Sequence, residues 1–227
     1  MKRLILFFAA VFVFSILLLI LVVYRFNPPN VGIEYVKALL QVITITILGN
    51  FIALVVDKFR RERREYDTRQ EFRKKSLTLL SRAYADTKLA RRLVRARGLQ
   101  KPNDQESKTD QVILECYDKY APKLSEVQLT FESIRKEIET SPHIFSATDV
   151  LVAGIKKMDD YLNEISREYQ EEYPRLRQDG PLFDVDRLER FYDFVGPYDD
   201  SKFKAIFVNN FVISVGIIRN EILNPDT

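Results

Sequence analysis

The sequence predicts an all-α membrane protein made of a two-helix transmembrane hairpin, a long basic neck helix and an acidic helical bundle. Two uncharged runs of 20 and 19 residues stand near the N-terminus, and basic residues follow the second run directly. No later stretch shows the two-residue alternation of a strand bounded by hairpin turns. The predicted parts are residues 1–56, 57–97 and 98–227.

The first uncharged run, about residues 4–23, is long enough to cross a bilayer as a helix. A cleaved secretory signal is the alternative, because Lys2 and Arg3 resemble its charged start. The run is too long for the apolar part of such a signal, and no small-residue cleavage site follows it. We therefore interpret it as a retained anchor.

The second uncharged run, about residues 38–56, contains several polar side chains and would insert less strongly alone. Residues 24–37 contain Pro28-Pro29 and Gly32, which argue against one continuous helix through both runs. The sequence thus predicts an outer loop over 24–37.

One face of the second helix collects small and polar residues: Thr46, Gly49, Asn50 and Ala53. Gly49 and Ala53 form a small-xxx-small pair, which lets two membrane helices approach closely. We expect this face to contact another helix, either the first helix of the same hairpin or a second copy of the chain. A small polar conducting path is the alternative.

Charge is distributed unevenly along the chain. Residues 57–97 carry 15 basic and 6 acidic side chains, whereas residues 98–227 carry 16 basic and 25 acidic ones. Eleven Lys and Arg residues flank the hairpin ends and only two lie in its loop, which predicts that both termini are cytoplasmic, at a plasma or bacterial inner membrane.

Five basic residues directly after the second run are expected to contact anionic lipid head groups: Lys58, Arg60, Arg61, Arg63 and Arg64. The alternative is that these cations are simply solvated by water and contact no lipid. Nucleic acid is an improbable partner, because no aromatic platform or base-reading motif accompanies them.

The neck is predicted to be one helix, because no Gly or Pro occurs between Asn50 and Arg97. Three acid-first pairs at i, i+4 support it: Asp57 with Arg61, Glu65 with Arg69 and Glu71 with Lys75. Its second half carries a stripe that predicts a packed partner helix: Leu80, Ala83, Thr87, Ala90 and Val94.

A second basic cluster flanks that stripe: Arg91, Arg92, Arg95 and Arg97. It could bind an anionic ligand or the acidic part of the same chain. Cations near the negative end of a helix dipole are the simpler interpretation.

The acidic part reads as further helices. A helix capped by Thr109 or Asp110 should run to about Thr140, kinked or divided at Pro122. The next keeps a helical period through an apolar stripe, and Pro174, Asp179-Gly180 and Pro181 mark the break that follows it; the stripe is Leu151, Ile155, Met158, Leu162 and Ile165.

Helices over 185–195 and 201–223 complete this part. The uncharged segment from Ala205 to Ile218 is too short for a regular span, so we interpret it as a buried core helix, with a membrane-associated segment as the alternative.

Catalytic, metal and cofactor signatures are not recognisable in the sequence. A single cysteine, Cys116, cannot form an intramolecular disulfide, and with one histidine, His143, it lacks the supporting groups of a nucleophilic site. The acidic doublets diverge by about 100° on a helix and do not converge on one ion.

The sequence therefore predicts a non-enzymatic integral membrane protein without cofactor or metal. Its cytoplasmic domain would sense or bind a partner protein, and its second membrane helix would form a homo-oligomer. The alternative is a membrane-permeabilising effector, as in bacterial defence, that is gated by the cytoplasmic domain.

Overall fold

A computed structural model describes residues 30–100 and 110–224, together with Phe14, Leu17, Ile20, Leu21 and Arg25. The predicted first membrane helix, 4–23, therefore lies outside the described residues except at four positions. Those four are helical and exposed.

The longest element is helix α1, Asn30–Arg97, which is continuous over 68 residues. The outer loop predicted over 24–37 is wrong for residues 30–37, which belong to this helix. Both prolines, Pro28 and Pro29, stand before the first residue of this helix in the sequence, so neither removes one of its hydrogen bonds. Gly32 lies in the first turn, and a single glycine costs a helix only about 1 kcal/mol.

Gly98 ends α1, as the sequence predicts. Its N–H donates to the carbonyl of Val94 (2.7 Å), and a Cβ atom at Gly98 would come within 2.7 Å of the Cys116 sulfur. A larger residue therefore cannot stand there without a shift of its neighbours.

The chain divides into two compact units, Met1–Thr68 and Arg69–Thr227. We call the second unit the helical domain. In the first unit, the apolar part of α1 is long and apolar enough to cross a membrane, and none of that window is buried.

The described residues of the helical domain form the C-terminal part of α1 and four further α-helices. They are α2, Leu114–Glu139; α3, Thr148–Asp179; α4, Glu189–Val195; and α5, Asn209–Leu223. A 3₁₀ turn, Val185–Arg187, precedes α4, and a π-helical segment, Phe203–Val208, leads directly into α5.

Three short strands form an antiparallel sheet in the order β1-β2-β3: β1, Leu99–Gln100; β2, Gln111–Ile113; and β3, Leu182–Asp184. The structure is mostly helical, which agrees with the predicted all-α class, but the sequence did not indicate these three short strands. Strands of two or three residues are too short for a two-residue hydrophobic alternation to be recognised.

Two prolines stand inside helices of the domain. Pro122 does not divide α2. Helix α3 continues past Pro174 and ends at Asp179, so among the predicted break residues Asp179-Gly180 marks the helix end and Pro174 does not. Leu176 is 1% exposed, so packing of the last turns stabilises α3 beyond the proline. Gly180 then ends the helix at φ 128°, a conformation that favours glycine.

Both apolar stripes predicted for the core are confirmed. The five residues of the neck stripe, Leu80 to Val94, are at most 5% exposed, and the five of the α3 stripe, Leu151 to Ile165, are at most 1% exposed. The second half of α1 is therefore part of the core of the helical domain.

Contacts at three levels along α1 join it to α5 and to the segment before α5. Arg73 forms an ion pair with Glu221 (3.1 Å), and Tyr84 stacks on Phe211 with ring centroids 3.7 Å apart. At the third level, the Arg91 guanidinium lies 5.0 Å from the centre of the Phe203 ring. Charge and aromatic stacking thus hold α5 along α1.

The segment predicted as a buried core helix, Ala205 to Ile218, is buried on one side only. Phe207 is fully buried, whereas Val212 and Ile213 are 60% and 52% exposed. Phe203–Leu223 is also the second segment that is long and apolar enough to cross a membrane, with a third of its apolar window buried. The structure therefore leaves one apolar side of α5 uncovered.

Candidate functional site

The small and polar face of α1 is exposed at each of its four positions: Thr46, Gly49, Asn50 and Ala53. A Cβ atom at Gly49 would meet nothing within 4 Å. The Thr46 hydroxyl donates to the carbonyl of Val42 (2.8 Å), one turn back in the same helix. Within the described part of the chain, the Asn50 amide has no hydrogen-bond partner.

The half-buried residues of this part of α1 form a different stripe: Leu40, Thr44, Ile47, Phe51 and Val55. At 100° per residue, its centre lies about 150° around the helix from the small and polar face. The two faces are therefore nearly opposite, and the small and polar one remains free for a contact outside the described residues of this chain.

The five cations proposed to contact lipid head groups are exposed: Lys58, Arg60, Arg61, Arg63 and Arg64. Asp57 pairs with Arg61 (2.8 Å), as predicted, and Lys58 pairs with Glu62 (3.3 Å). Exposed pairs at i, i+4 contribute only about 0.3–0.5 kcal/mol each and leave the cations accessible to anions.

The other two predicted i, i+4 pairs, Glu65 with Arg69 and Glu71 with Lys75, do not form in the described residues. Lys75 instead pairs with Glu137 of α2 (3.2 Å). A tertiary partner replaces the local one here, which local spacing alone cannot reveal.

Arg91, predicted to meet an anionic ligand or an acidic side chain, is buried and bonds to backbone carbonyls instead. Its Nε donates to the Phe194 carbonyl (2.6 Å) and its Nη2 to the Gly196 carbonyl (2.8 Å). Burial, together with the charge of Arg95, lowers the pKa of Arg91. Its role is to anchor the end of α4 to α1.

The remaining three residues of that cluster, Arg92, Arg95 and Arg97, are exposed. None of them forms an ion pair with another described residue. The four arginines thus do not converge on one site, and contact of the three exposed ones with an anionic ligand or an acidic side chain stays a prediction.

A pocket of about 300 Å³ lies beside α4, between α3 and the segment 196–202. Asp193 lines it and accepts hydrogen bonds from the Tyr161 hydroxyl (3.0 Å) and from the backbone N–H groups of Lys202 (2.8 Å) and Phe203 (3.2 Å). Burial, and next the Asp193 charge, raise the pKa of Tyr161 well above its ordinary value, so this hydroxyl stays protonated and donates.

Glu168 performs a similar task at the start of α4. Its two carboxylate oxygens accept from the N–H groups of Arg190 (2.9 Å) and Phe191 (2.8 Å). Burial raises the pKa of Glu168, and the two backbone hydrogen bonds oppose that rise. The position of α4, and with it the pocket, thus depends on carboxylates from neighbouring segments.

Sequence reasoning missed Asp193 and Glu168, because their partners are distant backbone N–H groups with no motif of their own. It also missed Arg73, which donates to the carbonyls of Ile144 (2.6 Å from Nη2) and Glu221 (2.8 Å) besides its ion pair. A weak signal existed for Arg73: it lies seven residues, or about two helical turns, before Leu80, on the same face of the helix as the hydrophobic stripe.

The two side chains of the acidic doublet Asp159-Asp160 point in different directions, as helical geometry predicts. Asp159 is buried and accepts from the Gln128 amide (2.6 Å), whereas Asp160 is exposed and pairs with Lys156 (2.6 Å). The described residues contain no group of three His, Cys, Asp or Glu residues suited to a metal ion.

Cys116 and His143 do not meet. Cys116 lies near the start of α2 and is buried, and His143 follows the end of α2 and is exposed. The 26 residues of α2 span roughly 39 Å. These two residues therefore cannot act as nucleophile and base within one chain.

We predict that the Cys116 thiol reacts slowly with maleimide in the folded chain. Burial raises the pKa of this thiol, so less thiolate is present at pH 7–8 than in an ordinary cysteine. The rate should rise as the pH increases toward that raised pKa and should increase about tenfold or more in denaturant. Equal rates in folded and unfolded chain would contradict the buried position.

No protein-family model, curated protein or solved structure matches this chain. The function must therefore be argued from the residues and their geometry.

Proposed function

We propose that this chain is a non-enzymatic membrane protein that self-associates through α1 and uses its helical domain to sense or bind a partner. The observation that carries the proposal is the exposed face of α1 around Asn50. An amide without a partner in an apolar helix is costly in a bilayer, where no water is available to it. A second copy of the chain would supply the missing partner.

The neighbouring residues support close approach of two such helices. Gly49 and Ala53 carry little or no side chain, and the space above Gly49 is open. Two copies could therefore bring their backbones together at this level and pair their Asn50 amides across the interface. Interhelical hydrogen bonds of this kind contribute about 0.6–2 kcal/mol in membranes.

Anchoring is supported by the order of features along α1. Its apolar part is followed directly by exposed cations from Lys58 to Arg64. Anionic head groups attract such cations by about 1 kcal/mol each near the surface. This arrangement favours a cytoplasmic helical domain at a plasma or bacterial inner membrane.

Disulfide cross-linking in membranes tests self-association. In a Cys116→Ala background, Ala53→Cys places a thiol on the small and polar face, and Leu48→Cys places one about 140° away at another exposed position. We expect a dimer to form about fivefold faster through Ala53→Cys, and Asn50→Leu to reduce it. Equal cross-linking at both positions, or none at Ala53→Cys, would overturn the proposal.

The exposed Thr46 and Asn50 also favour a second candidate, a membrane-permeabilising effector. A voltage-sensitive dye in cells that express the same variants separates the two. Depolarisation that requires Asn50 supports the effector, whereas dimers without depolarisation support an anchor for the helical domain.

A further inference from the structure

We propose that the pocket beside α4 binds a small organic cation with an apolar body. This inference rests on the sensing role proposed for the helical domain, but not on self-association of α1. The charges and rings that line the pocket point to this class of ligand, as the following contacts show.

The pocket carries more negative than positive charge. Four carboxylates line it against two cations: Glu164, Glu189, Asp193 and Asp200 against Arg190 and Lys202. Arg190 lies 3.4 Å from Glu164 and 3.9 Å from Glu189, so one guanidinium serves two carboxylates. The pocket therefore attracts a cation and disfavours an anion.

Asp193 forms no ion pair with a described cation, and the buried Arg91, whose charge does interact with it, bonds to backbone carbonyls instead. The Asp193 oxygens accept only from neutral donors, the Tyr161 hydroxyl and the two N–H groups of Lys202 and Phe203. Neutral hydrogen bonds satisfy the lone pairs but leave the formal charge in place. Asp193 thus adds a formal negative charge to the lining of the pocket.

Aromatic and apolar groups give the pocket room for a hydrophobic body. Tyr161 and Tyr192 belong to its lining, as do Ile165 and Pro197, and Tyr192 is 46% exposed. Tyrosine rings attract cations at their faces, and a volume of about 300 Å³ is at the lower end of small-molecule sites. A ligand with one ring and one amine suits this combination.

A ligand in the pocket would contact the segment that follows α4, which Arg91 of α1 holds by a hydrogen bond. Gly196 lines the pocket, and its carbonyl accepts the Arg91 Nη2 hydrogen bond. Asp193 lines it too and holds the first N–H groups of the π-helical segment. Binding can therefore alter how α1 and α5 are held, which a sensor requires.

Isothermal titration of the full chain in nanodiscs tests the proposal with three probes that share one ring and chain. They are 2-phenylethylamine, which is cationic, 2-phenylethanol, which is neutral, and phenylacetate, which is anionic. We expect saturable binding of the amine and about tenfold weaker binding of the alcohol and the acid. Equal binding of the three probes, or no saturable binding of the amine, would overturn the proposal.

Two adjacent aspartates provide a matched pair of variants. Asp200 lines the pocket, whereas Asp199 pairs with Lys204 (2.9 Å) and is not part of the lining. Asp200→Asn should weaken amine binding about fivefold, and Asp199→Asn should leave it unchanged. Equal effects of the two changes would contradict the site. Because cross-linking through Ala53→Cys is measured separately, either result can fail without the other.

Discussion

Replacing Arg73 by methionine should lower the free energy of unfolding of the helical domain by about 3–5 kcal/mol. The Arg73 and Glu221 side chains are 11% and 9% exposed, and their charged atoms lie 3.1 Å apart. Removal of the guanidinium leaves a buried carboxylate without its counter-ion, and the carbonyl of Ile144 loses its donor. Both consequences destabilise the folded state.

Urea denaturation of the full chain in mild detergent, followed by near-ultraviolet circular dichroism, measures this effect. Eight of the 11 tyrosines lie in the helical domain, so the signal reports mainly on its packing. Lys75→Met is the matched control, because the Lys75–Glu137 pair is exposed and on the same helix. We expect the control to cost at most about 1 kcal/mol. A similar loss from both variants would contradict a special role for the buried pair.

Phe207→Ala should cost about 3–5 kcal/mol by a different mechanism, the opening of a cavity in the core. Phe207 is fully buried in the π-helical segment before α5. Its ring centroid lies 5.3 Å from that of Phe203, 5.4 Å from that of Phe131 and 6.0 Å from that of Tyr161. The truncation therefore removes contacts to α2, α3 and the neighbouring turn at once.

The same denaturation experiment tests this prediction with two control variants, Val212→Ala and Phe207→Leu. Val212→Ala changes an exposed residue of α5 and should alter stability by no more than about 0.5 kcal/mol. Phe207→Leu retains most of the apolar volume and should cost less than Phe207→Ala. If alanine and leucine at position 207 cost the same, or if Val212→Ala costs as much, cavity formation is not the cause.

The two predictions concern opposite ends of the contact between α1 and α5. Arg73 holds the C-terminal end of α5 through Glu221, whereas Phe207 lies in the segment that leads into it. The proposed sensing pocket adjoins this second end through Asp193. A ligand there would act on the start of α5, while the buried ion pair keeps its other end in place.

The sequence by itself determined the elements whose signals are local and repeated. The uncharged run, the basic stretch after it and the unbroken helix to Arg97 follow from composition and from the distribution of Gly and Pro. The stripes from Leu80 to Val94 and from Leu151 to Ile165 follow from helical periodicity, which directly reflects burial of one face. For these features no distant part of the chain has to be known.

Only the tertiary structure decided the features that depend on distant partners. Arg91 resembles its exposed neighbours in sequence, yet it is buried because the Phe194 and Gly196 carbonyls meet it from α4. Pro174 does not end α3 because the packing of Leu176 outweighs the local cost. Asp193 accepts hydrogen bonds from the N–H groups of Lys202 and Phe203, which lie after the turn that follows α4. These bonds hold that segment beside α4, and the pocket lies between them. Local propensity and charge contain no information on such contacts, since their energy arises only when separate segments come together.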